Sequence, residues 1–400
     1  PPRPPPPPSR ATPPSQVPLQ IGFVGTGLIG KVTVKQMADR APALLAASGL
    51  DLRLAGAADS KSMILASSDA GMTLSALSAA VAERIEDWDA GSVDAAIAPV
   101  DLDAFTAALI AKARACGGAA VVIDNTSSEA VADRYERWLA DGVHVVTPNK
   151  KANSGALDRY ERIQKAAKEG GAKWLVEGTI GAGLPVVSTL RTLRATGDEV
   201  RGVQGIFSGT MSFLFNTWDA AGGQPFSDVV KAAKEAGFTE PDPRDDLNGL
   251  DVARKVVIAA RESGVNLSLD DVSVASLVPA ELEDCDAAEY LRRLPEFDDL
   301  IAEEAREADA AGMVLRFVGK VDVAAKTGSV ELAKFSKTHP FAGLEGADNI
   351  VEIQTARYGP EGESTPLIIR GPGAGAQVTA GGVFGDVCKL GLALGADVKL

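Results

Sequence analysis

Residues 21–30 read Ile21-Gly22-Phe23-Val24-Gly25-Thr26-Gly27-Leu28-Ile29-Gly30. An apolar strand runs into a G-x-G-x-x-G turn that opens a helix. In this pattern Gly25 permits the tight turn, Gly27 lets the backbone approach a pyrophosphate, and Gly30 lets helix and strand close up. The phosphate then sits at the helix N-terminus. The motif alone is weak, because a purely structural glycine turn gives the same letters. Its surroundings strengthen it. Apolar runs near 19–24, 52–58, 120–124, 143–147 and 173–178 alternate with helical spacing over 29–47, 102–115, 128–141 and 155–169. That alternation predicts βαβ units with a parallel sheet, a Rossmann-type α/β domain. Asp59 ends the second strand, 29 residues past Gly30, and the long first helix accounts for the late position. An acid there suits a free ribose 2′-hydroxyl, whereas Lys61 suits a 2′-phosphate. NAD and NADP both stay open, with the balance toward NADP.

The second half has a different texture. Segments 200–209, 314–324, 329–337, 349–358 and 366–371 are β-rich, with helical spacing near 210–221, 226–236 and 250–263. They predict an α+β domain. The Ala/Gly-rich stretch from Gly373 to Leu394 is expected to form a helix that returns to the first domain. The expected division is a proline-rich linker or leader over 1–18, a dinucleotide-binding domain over 19–178, a catalytic and dimerisation domain over 179–372, and the C-terminal helix over 373–400. Ten prolines among the first 18 residues favour solvated polyproline II. With Arg, Ser and Thr but no acid, that start suits the tail of an organelle transit peptide or a linker.

Composition narrows the function. The chain has 400 residues, and 54 Asp and Glu against 40 Lys and Arg leave a net charge of -14, which disfavours a phosphate-backbone partner. Residues 281–309 hold 12 acidic and 3 basic side chains, read as a solvated helical face. Cys116, Cys285 and Cys388 are far apart and lack C-x-x-C spacing, which points away from disulfides and zinc and toward a reducing compartment, cytoplasm or plastid stroma. Two histidines make a multi-histidine metal centre or a Ser-His-Asp hydrolase a poor fit. No apolar run reaches membrane-spanning length.

Four further segments carry chemistry. Asp124-Asn125-Thr126-Ser127-Ser128 follows a strand, where hydroxyls face the ligand crevice of an open α/β sheet; alternatively Thr126 or Ser127 caps the next helix. Thr147-Pro148-Asn149-Lys150-Lys151 also follows a strand, and at most one of its lysines is expected to face the crevice. In residues 240–255, Glu240-Pro-Asp242-Pro-Arg244-Asp245-Asp246-Leu-Asn248-Gly-Leu-Asp251-Val-Ala-Arg254-Lys255, two prolines lead into a helix that sets Asp251 and Lys255 at i and i+4. Such a pair is commonly a surface ion pair, but so many carboxylates in a short loop call for a cationic ligand. A lysine beside them can neutralise a forming alkoxide. Finally, Glu177 and the glycine-rich turn that follows it suit either a monovalent cation or a tight crossover.

Together these segments resemble homoserine dehydrogenase. The likeness runs from about Leu19 to Leu394 and rests on GFVGTGLIG, DNTSS, TPNKKA, EGTIGAGLP, GIFSGTMSF, EPDPRDDLNGLDVARK and GPGAGAQVTA. It implies NAD(P)-dependent interconversion of L-aspartate 4-semialdehyde and L-homoserine, on the branch leading to threonine, isoleucine and methionine. It also implies that Lys255 donates the proton and that Lys150 lies between cofactor and substrate. Glu240 and Asp251 would contact the substrate's amino and hydroxyl ends, with Asp246 nearby. Gly25, Thr26, Gly27, Leu28, Ile29, Gly30, Thr126, Ser127, Thr147 and Gly375 would line the cofactor site, with Asp59 and Lys61 at the ribose. Glu177 and the carbonyls of Ile180, Ala182 and Leu184 match the family's sodium site. The family is commonly a homodimer joined through the second domain. With no kinase domain before Leu19 and little after Leu394, the monofunctional type is expected. The alternatives are an NAD(P) oxidoreductase for another amino-acid aldehyde and a silent nucleotide-binding regulator.

Overall fold

The computed structural model describes residues 15–68, 71–74, 85, 95–359 and 365–399; most of the proline-rich start lies outside them. The chain divides into two compact units. One takes in Pro1–Asn125, Asp141–Val146 and Phe384–Leu400, the other Thr126–Ala140 and Thr147–Val383.

In the first unit, β1 (Val17–Val24), α1 (Leu28–Ser48) and β2 (Leu50–Ala58) form the opening βαβ crossover, with β1 parallel to β2. Next come β3 (Ser62–Ala66), β4 (Ala95–Pro99), α2 (Leu102–Ala115), β5 (Ala119–Asp124) and β6 (His144–Val146). The strands lie in the order β4-β3-β2-β1-β5-β6. Strands β1, β5 and β6 are buried along most of their length, as a sheet covered on both faces requires. The expectation of a parallel sheet holds for β2, β1, β5 and β6 and fails at the edge, where β3 pairs antiparallel with β2 and β4 antiparallel with β3. Only Asp59, Ser60 and Lys61 separate β2 from β3. That is a hairpin length, and a parallel return would need a crossover of a dozen or more residues.

In the second unit, β7 (Val200–Ile206), β8 (Val272–Val274), β9 (Met313–Asp322), β10 (Thr327–Ser336), β11 (Asp348–Thr355) and β12 (Leu367–Pro372) form a six-stranded sheet in the order β8-β10-β9-β7-β11-β12. Apart from the parallel β8–β10 pair, its ladders are antiparallel. Helices α3 (Gly209–Thr217) and α4 (Leu250–Glu262) pack on this sheet. Val256 of α4 sits so close to the strands that a Cβ at Gly319 or Gly328 would approach it to 2.6 or 2.8 Å. The acidic stretch supplies two helices, Ala287–Arg293 and Asp298–Ala310. The last helix, α5, spans Ala376–Ala393; its final turn closes on β2, with Gly391 against the Leu50 side chain.

Two local expectations change. The strand expected over 173–178 shrinks to Trp174–Leu175, because Glu177–Thr179 makes a 3₁₀ turn. The helix expected over 128–141 is two short ones, Glu129–Ala132 and Tyr135–Ala140.

Candidate functional site

The glycine turn of the first unit has the geometry its letters predict. Gly25 has φ 89°, in the left-handed region, and its N–H donates to the Ala58 carbonyl. A Cβ at Gly30 would lie 2.2 Å from the Gly25 oxygen, so no side chain fits there. At Gly27, the N-cap of α1, a Cβ would meet nothing within 4 Å, and no side chain caps the helix. The first-turn N–H groups therefore face a space that an anion can enter. Thr26 is buried, and Leu28 is 67% exposed beside the turn.

Asp59 is already engaged. Its Oδ1 accepts from the N–H groups of Lys61 and Ser62, both at 2.8 Å, and its Oδ2 accepts from that of Ile85 at 2.9 Å. The carboxylate thus braces the hairpin between β2 and β3, while Lys61 is exposed.

The second unit gathers the residues of 240–255 around α4. Gly249, at φ 73°, turns the chain into this helix. Lys255 Nζ donates to Asp251 Oδ2 at 2.7 Å and to the Phe207 carbonyl at 2.7 Å. Lys150 Nζ lies 3.2 Å from Asp251 Oδ1, so one carboxylate receives two ammonium groups. Lys150, rather than Lys151, is thus the lysine that reaches the cluster. Two of the three protons on Lys255 have acceptors, which leaves one N–H for another partner.

The electrostatics follow from this packing. Burial lowers the pKa of Lys255 from the ordinary lysine value, Asp251 opposes the shift, and Lys150 adds to it. At Asp251 desolvation works against ionisation, but Lys255 and Lys150 outweigh it and hold the carboxyl well below the usual range. Its side chain nevertheless keeps 48% of its surface open to solvent. Asp246 shifts the other way: burial raises its pKa, although its oxygens accept from Glu240 N at 2.8 Å and Thr210 Oγ1 at 2.9 Å. The Glu240 side chain is exposed.

Other expected residues are placed as follows. Ser128, rather than Thr126 or Ser127, caps the following helix, accepting from Val131 N; Thr126 accepts from Ser128 N, and Ser127 is exposed. Thr147 is buried, with its hydroxyl accepting from Asn149 N and Tyr135 Oη. Gly375 takes φ 110° just before α5. The buried Glu177 accepts from Ser188 N through both carboxylate oxygens. Ala182 is one of two described non-glycine residues with positive φ, at 56°. Among the described residues no group of three or more His, Cys, Asp or Glu side chains is arranged to hold a metal ion.

Three contributors were not singled out from the sequence: the Phe207 carbonyl, Thr210, and the fully buried Asn349, whose Nδ2 donates to the Phe207 carbonyl at 3.0 Å. Phe207 and Thr210 lie within GIFSGTMSF. Asn349 stands in an ordinary β pattern, where no spacing marks it.

The family model for homoserine dehydrogenase matches residues 185–388, and that for the homoserine dehydrogenase NAD binding domain matches residues 25–177. The chain is 47% identical over 383 residues to the chloroplastic bifunctional aspartokinase/homoserine dehydrogenase 1 of Zea mays, a match covering 96% of this chain and 39% of that protein's length. It is 41% identical to the homoserine dehydrogenase of Paracoccidioides brasiliensis, covering 93% of this chain and 97% of the relative. A crystal structure of a Candida auris protein of unknown function superposes with a TM-score of 0.81 at 36% identity, covering 95% of this chain and 99% of that one.

Proposed function

The chain belongs to the homoserine dehydrogenase family, and from that premise we propose that it interconverts L-aspartate 4-semialdehyde and L-homoserine. The observation that carries this reading is the cluster of Lys255 and Lys150 on the single carboxylate of Asp251.

A nicotinamide dinucleotide, when bound, supplies or takes the hydride. The open space at Gly27 and the uncapped start of α1 fit its pyrophosphate. With Asp59 committed to the hairpin, the exposed Lys61 favours a 2′-phosphate, and hence NADP. Thr126, Ser127, Thr147 and Gly375 complete the cofactor set.

In the reducing direction negative charge grows on the aldehyde oxygen. Lys255 meets it with the N–H that neither Asp251 nor Phe207 takes, and its lowered pKa makes it a readier acid than an ordinary lysine. Asp251 holds that ammonium in place, and Lys150 adds positive potential. In the oxidising direction neutral Lys255 takes the proton back. Glu240 binds the substrate's ammonium group, with Asp246 beside it.

Glu177 and the carbonyls of Ile180, Ala182 and Leu184 would supply hard oxygen ligands of the kind sodium takes. The left-handed backbone at Ala182 supports this reading. The ion would brace the crossover rather than react. A homodimer joined through the second unit, in plastid stroma or cytoplasm, completes the proposal. The chloroplastic maize relative supports the former compartment.

Steady-state assays with L-homoserine, run with NAD and NADP in parallel, test it. Homoserine-dependent formation of the reduced nicotinamide is expected, faster with NADP; none with either cofactor would overturn the assignment.

A further inference from the structure

The Phe207 carbonyl oxygen takes two buried donors, Lys255 Nζ at 2.7 Å and Asn349 Nδ2 at 3.0 Å. The ammonium arrives from α4 and the amide from β11, which pairs with β7 up to Ile350 opposite Ile206, the residue before Phe207. Because a carbonyl only accepts, the NH₂ side of the amide must face it, which fixes the amide's orientation. Asn349 is fully buried, and its Oδ1 has no hydrogen-bond partner among the described residues. A buried acceptor left alone offsets part of what the amide's hydrogen bond adds to the folded state. The glycine turn before α5 rests on it: a Cβ at Gly373 would come within 2.0 Å of Asn349 Cγ.

We propose that Asn349 is a positioning residue for Lys255: by occupying one lone pair of the Phe207 carbonyl, it confines the ammonium to the other and aims the remaining N–H at the substrate oxygen. The proposal rests on Lys255 being the proton donor and extends that reading to a residue outside the acidic motif. The charged groups that face Lys255 are Asp251 from its own helix, Lys150 from the segment after Thr147, and Asp246 from the short helix Arg244–Leu247. Asn349 is neutral and acts through the carbonyl. Its donation also draws electron density from that oxygen, so losing it strengthens the carbonyl's hold on the ammonium and favours the charged lysine.

Two variants test this, N349L and N349D, beside wild type and K255A. N349L removes the donor while keeping the number and branching of the side-chain heavy atoms. Its turnover with homoserine should fall about tenfold, the scale of the one neutral hydrogen bond removed. The Michaelis constant for homoserine and the dissociation constant of NADP should stay within about twofold, as expected for an effect confined to the transition state. Its melting temperature should move by no more than about a few degrees, the scale of one core substitution. In free protein carrying ¹³C-labelled lysine, with the Lys255 signal assigned by its absence from K255A, Lys255 should titrate at higher pH in N349L. N349D, closest in shape, carries the test if N349L does not fold: its carboxylate attracts the ammonium and moves the titration the same way. Wild-type turnover and an unmoved Lys255 titration would overturn the proposal, as would parallel losses of stability and turnover with that titration unchanged. Because the titration is read without substrate, it decides the role of Asn349 even if wild type fails to oxidise homoserine, a result that would count against the proposed activity instead.

Discussion

Asp251 and Lys255, one helical turn apart, form a 2.7 Å ion pair that uses one carboxylate oxygen and leaves the other to Lys150. Two cations share this one carboxylate, and in the proposed mechanism their positive potential is the sign needed beside a developing alkoxide. Asp251 also raises the pKa of Lys255 against the lowering effect of burial. In D251N the lysine should titrate lower still, so the limb of the homoserine-oxidation profile that reports neutral Lys255 should move to lower pH, and turnover in the reducing direction should fall. A pH–rate series checks both. The carboxyl of Asp251 lies below its unfolded value, so the pair stabilises the fold above about pH 4 and loses that effect as pH falls further. D251N should therefore show less acid dependence of its melting temperature.

In the proposed mechanism, Lys255→Ala removes the group that acts on charge present only in the transition state. Turnover should drop by roughly 10²-fold or more, with cofactor binding little changed. Turnover equal to wild type in a single-turnover assay would take Lys255 out of the mechanism.

Cofactor preference should respond to Lys61→Ala. The side chain is exposed, while its backbone N–H serves the Asp59 hairpin whatever the side chain is, so the fold should survive the change. NADP should weaken and NAD should remain nearly unaffected, as paired titrations would show; equal losses would mean that Lys61 does not reach the 2′ position.

For Glu240→Gln we expect a raised Michaelis constant for homoserine, an unaltered dissociation constant for the nicotinamide cofactor, and poor discrimination against analogues lacking the amino group. Its backbone N–H holds Asp246 at 2.8 Å, and that contact does not depend on the side chain's charge. If the variant binds homoserine normally but loses its pH dependence, Glu240 transfers protons and the division of labour with Lys255 is wrong.

The elements that position the cluster were legible because their signals are local. The turn at Gly25 to Gly30 needs left-handed backbone and a missing Cβ, and both leave letters in the chain. Asp251 and Lys255 meet through helical spacing alone. Lys150 meets Asp251 across about a hundred residues of chain, and its motif carried that information only through likeness to a family. The antiparallel edge was not legible because Ser62–Ala66 is too short to stand out as a strand and its partner Ala95–Pro99 is remote in sequence. Asn349 escaped for a related reason: its role depends on the carbonyl opposite it in a non-local ladder, and backbone carbonyls have no letter of their own.

Asp59 stands where the proposed ribose contact and the β2–β3 hairpin meet, and its carboxylate is spent on the hairpin. With three backbone N–H groups on its oxygens, it cannot be exchanged to retune ribose recognition without loosening the β2–β3 hairpin. Under the proposed cofactor reading, changes that retune coenzyme preference are therefore expected at Ser60 and Lys61, whose side chains are exposed. The same constraint guides engineering: a library that holds Asp59 fixed and diversifies its two successors should yield more folded members than one that starts from the acid.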